Sequence, residues 1–173
     1  DWGDLNNDGR LDLLVAFSNW ENFPEEGAPN SAPNPMEQPD ALFIQQSDGS
    51  YQERAAAWGL DFMGRSRSFV LADFNEDGWL DLARNEVWGP THLLLSRCGC
   101  DRWVEIDLEM PGLNSKAIGA TVEVHTAQGI QTEWIHSGGT NIASGGPPRA
   151  HFGLGTAEKI DTLRVTWPDG ECS

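Results

Sequence analysis

No apolar run in this sequence reaches the roughly 20 residues that a membrane-spanning helix requires; the greasiest stretches, Leu11 to Phe17 and Leu93 to Leu95, are short and interrupted. Positive charge is also scarce. Eleven Lys and Arg stand against 27 Asp and Glu, a formal charge of -16, and such a surface repels phosphate backbones and anionic lipid headgroups. The expectation is no nucleic-acid partner and no membrane insertion, with cations as the natural counterpart. Cysteine is too sparse for a thiolate metal site: Cys98 and Cys100 flank Gly99, Cys172 stands alone, and no paired CxxC spacing occurs. A Cys98–Cys100 bridge would be strained, which leaves pairing with Cys172, or with a partner outside the chain, open. An initiator Met and a signal segment are lacking too, and the chain stops soon after the turn-like Trp167, Pro168, Asp169, Gly170, so both ends, the C-terminal one included, are expected to be cut.

Catalytic signatures are equally thin. Ser144 precedes Gly145 and Gly146 without a G-x-S-x-G elbow. Gly153, Leu154, Gly155 is followed by Glu158 where a dinucleotide fingerprint needs a third glycine, and it reads as a turn. His92, His125, His136 and His151 form no close H-x-x-H pair and read as surface or core residues. The chain is expected not to be an enzyme.

What the sequence does have is turn chemistry. With 19 glycines and 10 prolines punctuating short β-branched or aromatic runs, it predicts strands joined by tight turns, an all-β fold. Ala41 to Gln46, Tyr51 to Arg54, Ser68 to Ala72, Trp79 to Arg84 and Thr91 to Ser96 read as strands, and Ala55 to Leu60 as a helical turn. Residues 21–40, with Pro24, Pro29, Pro33, Pro35 and Pro39, cannot join a ladder and predict an exposed spacer loop. Beyond residue 97, Val104, Ile106, Leu108 and Met110 alternate with acids, the pattern of a half-buried strand. Ala120 to Thr126, Ile130 to His136 and Leu163 to Trp167 follow, the first two closed into a hairpin by Ala127, Gln128 and Gly129. This division predicts one unit over 1–96 and a smaller, antiparallel β-sandwich-like domain over 97–173.

The most informative segments are Asp4, Leu5, Asn6, Asn7, Asp8, Gly9, Arg10, Leu11, Asp12 and Asp73, Phe74, Asn75, Glu76, Asp77, Gly78, Trp79, Leu80, Asp81. Both read D-x-N-x-D-G-x-x-D. Calcium wants about 6 to 8 oxygens, and alternate positions on a tight loop can aim side-chain oxygens at one centre. Asp4, Asn6 and Asp8, and likewise Asp73, Asn75 and Asp77, hold those positions. The glycine in sixth place permits a sharp bend, the seventh residue, Arg10 or Trp79, offers its carbonyl, and Asp12 or Asp81 returns a carboxylate from the next strand. Two Ca2+ sites are the expectation. A helix-loop-helix hand would need Glu in twelfth place, where Val15 and Arg84 stand instead. Asp-Gly pairs also make plain turns, but clustering three carboxylates twice without a cation would set them against one another.

These loops, with Phe69, Val70, Leu71, Ala72, Asp73, Phe74 before the second, resemble FG-GAP or VCBS repeats, the blades of integrin-type β-propellers. The later segment resembles the ASPIC/UnbV domain that follows such repeats in the cartilage acidic protein family and its bacterial relatives. The resemblance rests on Asn114, Ala117 to Val124, Ser137 to Gly139, His151 to Gly155, Ile160, Asp161, Val165 and Trp167 to Gly170. It implies partial propeller blades, a calcium-binding interaction or adhesion module, and an extracellular or cell-surface location, bacterial secretion or the periplasmic side included. The partner would be an unidentified protein or glycan. Eight tryptophans raise the alternative of a carbohydrate-binding or enzyme-accessory domain, although propeller blades also use aromatics in their cores.

Overall fold

The computed structural model describes residues 1–17, 39–86, 89–97, 99–138 and 144–173. Most of the proline-rich segment, Trp88 and Cys98 lie outside them. Cys100 and Cys172 are exposed free thiols.

The fold is nearly all β. Strands β1 (Trp2–Gly3), β2 (Asp12–Val15), β3 (Ala41–Gln45) and β4 (Tyr51–Glu53) form a four-stranded sheet in sequence order, antiparallel throughout, which is the build of a propeller blade. After the single turn of α1 (Ala55–Trp58), strands β5 (Ser66–Ala72), β6 (Asp81–Glu86) and β7 (His92–Leu94) form a second meander. The two sheets repeat one plan, strand, acidic loop, strand, strand, and they share one core. Leu5, Leu14, Leu42 and Ile44 of the first pack with Phe69 and Leu82 of the second.

Residues 102–173 carry a separate core. Strands β8 (Arg102–Ile106) and β11 (Ala150–Gly155) pair with each other, while β9 (Thr121–Thr126) lies between β10 (Gly129–Trp134) and β12 (Thr162–Thr166). Val122, Val124, Ile135, Phe152 and Val165 fill the space between these sheets. The β9–β10 hairpin turns where the sequence predicted it.

Three expectations need correction. The strand over Val104 to Met110 stops at Ile106 because its partner among the described residues, β11, begins at Ala150 opposite Ile106. Gly153 to Gly155 is not a turn but the end of buried strand β11. A Cβ on Gly153 would sit 2.0 Å from Asp4 Oδ2 and 2.4 Å from Asn7 Cα, so the glycine serves a close approach to the first acidic loop. Among the described residues no tryptophan is fully buried: Trp2, Trp58, Trp103 and Trp134 are exposed, Trp79 is half-buried, and Trp167 packs against the edge of the second core. The blade core is filled by Leu, Ile and Phe, and two of the indoles lie against glycines instead. Adding a Cβ to Gly78 would bring it within 1.6 Å of the Trp103 ring, and one on Gly99 within 2.0 Å of Trp79.

At the end of the proline-rich segment, Pro39 pairs with Met63 in an isolated bridge and Asp40 is buried. These last two residues belong to the fold, not to an exposed spacer.

Candidate metal-binding loops

Asp12 and Asp81 open β2 and β6, as their loop position predicts. Asp12 accepts the Leu5 N–H (3.1 Å) and the Gln45 N–H at the end of β3 (2.9 Å). Asp81 accepts the equivalent Phe74 N–H (2.9 Å) and the Ser96 N–H just past β7 (2.7 Å). The ninth residue of each loop therefore ties the loop's own start to the strand after next.

Within the loops the match continues bond for bond. Asp4 accepts from the Asp8 and Gly9 amides at 3.0 and 2.7 Å, and Asp73 from those of Asp77 and Gly78 at 3.1 and 2.6 Å. The Arg10 amide donates to Asp8 and the Trp79 amide to Asp77, each at 3.0 Å. Asn6 and Asn75 each bridge to the following aspartate in the same way. The fourth residues, Asn7 (φ 57) and Glu76 (φ 58), and the sixth, Gly9 (φ 85) and Gly78 (φ 87), share one left-handed backbone path; glycine takes it freely and Asn at little cost.

All ten residues named from the sequence thus lie on two congruent loops. Among the described residues, however, no group of three or more His, Cys, Asp or Glu side chains is drawn together closely enough to clasp a metal ion; the carboxylate oxygens are turned to backbone amides. Their chemistry still suits a hard cation, because a carboxylate oxygen that accepts one N–H keeps a lone pair for another partner.

The loops differ in surroundings. Asp4 and Asp12 are buried, whereas Asn75, Glu76 and Asp77 are exposed. In the first loop Arg10 pairs with Asp8 at 2.5 Å; Trp79 stands at that place in the second. Burial pushes the Asp4 carboxyl up to about 7 against the opposing N–H of Gly9, with the Asp8 charge adding to the rise. Burial likewise lifts Asp12 to about 6.

Sequence reasoning missed what packs on these loops: His151 to Gly155 stand out as a motif, but nothing in the sequence links them, or Glu133, to the acidic loops. Glu133 on β10 is raised to about 7 by burial, with the charge of Asp4 contributing, and it accepts the His151 N–H at 3.0 Å. His151 is buried and its Nε2 lies 3.1 Å from the Gly78 carbonyl oxygen. That oxygen accepts only, so the ring nitrogen is the donor. Asn7 Nδ2 donates to the same oxygen at 2.9 Å, and the Gly155 N–H donates to the Asn7 carbonyl at 2.7 Å.

The raised carboxyls set a sign. Asp4, Asp12 and Glu133 hold protons more tightly when folded than when unfolded, so the folded state binds more protons between their ordinary range and about pH 7. Stability in chelator should therefore decline as pH rises from about 4 to about 7. Melting temperature against pH in chelator checks this, and a rising curve would contradict it.

The sequence model of the FG-GAP-like repeat matches residues 4–83, and that described as ASPIC and UnbV matches residues 110–173. Cartilage acidic protein 1 of Xenopus tropicalis, Mus musculus and Homo sapiens is 31% identical to the chain over 112 residues, covering 62% of the chain and 17% of each relative. The chain thus spans about 17% of the length of the curated relatives it matches. The blade-like sheets with their acidic loops thus fall in the segment similar to the FG-GAP-like repeat, and most of the separately cored β unit falls in the segment similar to ASPIC and UnbV.

Proposed function

We propose that the chain is a calcium-stabilised extracellular interaction module, without catalytic activity of its own, in which two calcium ions act structurally. The observation that carries this reading is the repetition: loops whose first aspartates are Asp4 and Asp73 share the same hydrogen bonds and the same left-handed residues. Turn formation alone needs no third acid. Asp4, Asn6, Asp8, Asp12 and the Arg10 carbonyl would hold one ion, and Asp73, Asn75, Asp77, Asp81 and the Trp79 carbonyl the other. Calcium would supply the positive charge that buried Asp4 and Asp12 lack. The FG-GAP-like repeat and the likeness to cartilage acidic protein 1 support an extracellular or surface setting, with a protein or glycan as the unidentified partner.

The carbohydrate-binding alternative has less behind it. Trp2 and Tyr51 are exposed neighbours, but their rings meet edge to face at 71°, which offers a sugar no shared flat platform.

Thermal unfolding in calcium and in chelator tests the cation reading. Free calcium at tenfold its dissociation constant should add about 1.4 kcal/mol per site, and Asp77→Ala should lose the share of the exposed loop. Equal melting temperatures in calcium and chelator would refute it.

A further inference from the structure

The middle of each acidic loop is held by the other loop and by the ASPIC/UnbV domain. Gly78, between Asp77 and Trp79, gives its carbonyl to Asn7 of the first loop and to His151 of β11. Asn7, between Asn6 and Asp8, is fully buried and receives the Gly155 N–H. Trp103 of β8 lies over Gly78, and Gly153 of β11 lies against Asp4 and Asn7 with no space for a methyl group. The backbone that must hold its shape for the loop oxygens to converge is thus the surface on which the domain rests.

Charge runs the same way. Docking brings Glu133 near Asp4 and Glu105 near Asp73, acid against acid, with Arg149 engaged by Glu105 and Asp107. Asn7 Oδ1 and His151 Nδ1 are buried there without a hydrogen-bond partner among the described residues, so the seam is not satisfied by its own polar groups.

We propose, resting on the calcium reading, that divalent-cation binding in the two loops and docking of the ASPIC/UnbV domain are one coupled equilibrium, transmitted through the Asn7–Gly78–His151 joint. A cation ordering either loop fixes the backbone atoms the domain binds, and the docked domain fixes the same atoms for the cation. By linkage the two effects are equal in size. Offsetting the acids on the loop side also relieves the repulsion that docking creates.

The experiment is calorimetric titration with calcium chloride of the chain of residues 1–173, alongside its radius of gyration by small-angle scattering in calcium and in chelator. Gly153→Ala drives a methyl group into Asp4 and Asn7, away from the domain's own core. His151→Phe keeps the ring and removes the donor, and it serves if the alanine variant fails to fold. The wild type should be more compact in calcium than in chelator. Each variant should bind calcium at least about fivefold more weakly and stay expanded. Calcium affinities within about twofold of wild type in the folded variants, or a wild-type radius indifferent to calcium, would overturn the coupling while leaving the calcium reading in place. A wild type that binds no calcium would overturn that reading itself.

Discussion

Asp12→Ala should destabilise the fold by about 3 to 5 kcal/mol, measured as a lower urea midpoint at unchanged slope. The carboxylate is fully buried and accepts two backbone amides, one from its own loop and one from β3. A hydrogen bond to a charged group contributes about 1.5 to 3 kcal/mol, and an orphaned buried N–H adds its own desolvation cost. Alanine strands both amides. Asp12→Asn should recover about half of the loss, because its single carbonyl oxygen serves one amide well while its NH2 faces the other donor. A midpoint within about 1 kcal/mol of wild type for Asp12→Ala would show that the ninth loop residue is not the tie the geometry describes.

The second large effect lies within β6. Arg84 is 1% exposed and donates from Nε to Asp40 (3.0 Å) and Ser66 (2.8 Å), while Nη1 bonds Glu86 and the guanidinium rests 4.6 Å from the centre of the Phe62 ring. Asp40 in turn takes the Phe17 N–H and the Ser66 hydroxyl. Asp40→Ala should cost about 3 kcal/mol, because it takes one of two carboxylate partners from the buried Arg84 guanidinium, leaving Glu86, and strands the Phe17 N–H. The double variant Asp40→Leu with Arg84→Met should be markedly more stable than Asp40→Ala alone, since apolar replacement removes both desolvated charges. Additive losses in urea unfolding would mean that the two residues act separately.

The two halves of the chain were legible to different depths. Loop positions one, three, five, six and nine could be read directly because each imposes a chemical demand, an oxygen or a bend, that few residue types meet. The meander strands were legible from β-branched and aromatic runs, apart from β1, whose two residues are too few to show a period. Strand β11 looks like a turn in the sequence because of its glycines; the reason for Gly153 lies in Asp4 and Asn7, far away in sequence. Arg84 and Asp40 escaped notice for the same cause. A charged residue within a strand looks like a solvated one until the fold brings its partner from a distance of over forty positions. His151 has no histidine neighbour in the sequence to mark it, and the approach of Gly78 gives it a role.

The loops are near copies in sequence, yet one is roofed by β11 and the other faces water. Equal substitutions in the two copies should therefore have unequal costs: a change beside Asp4 or Asn7 is felt by the strand packed against them, whereas one at Asn75, Glu76 or Asp77 is answered by solvent.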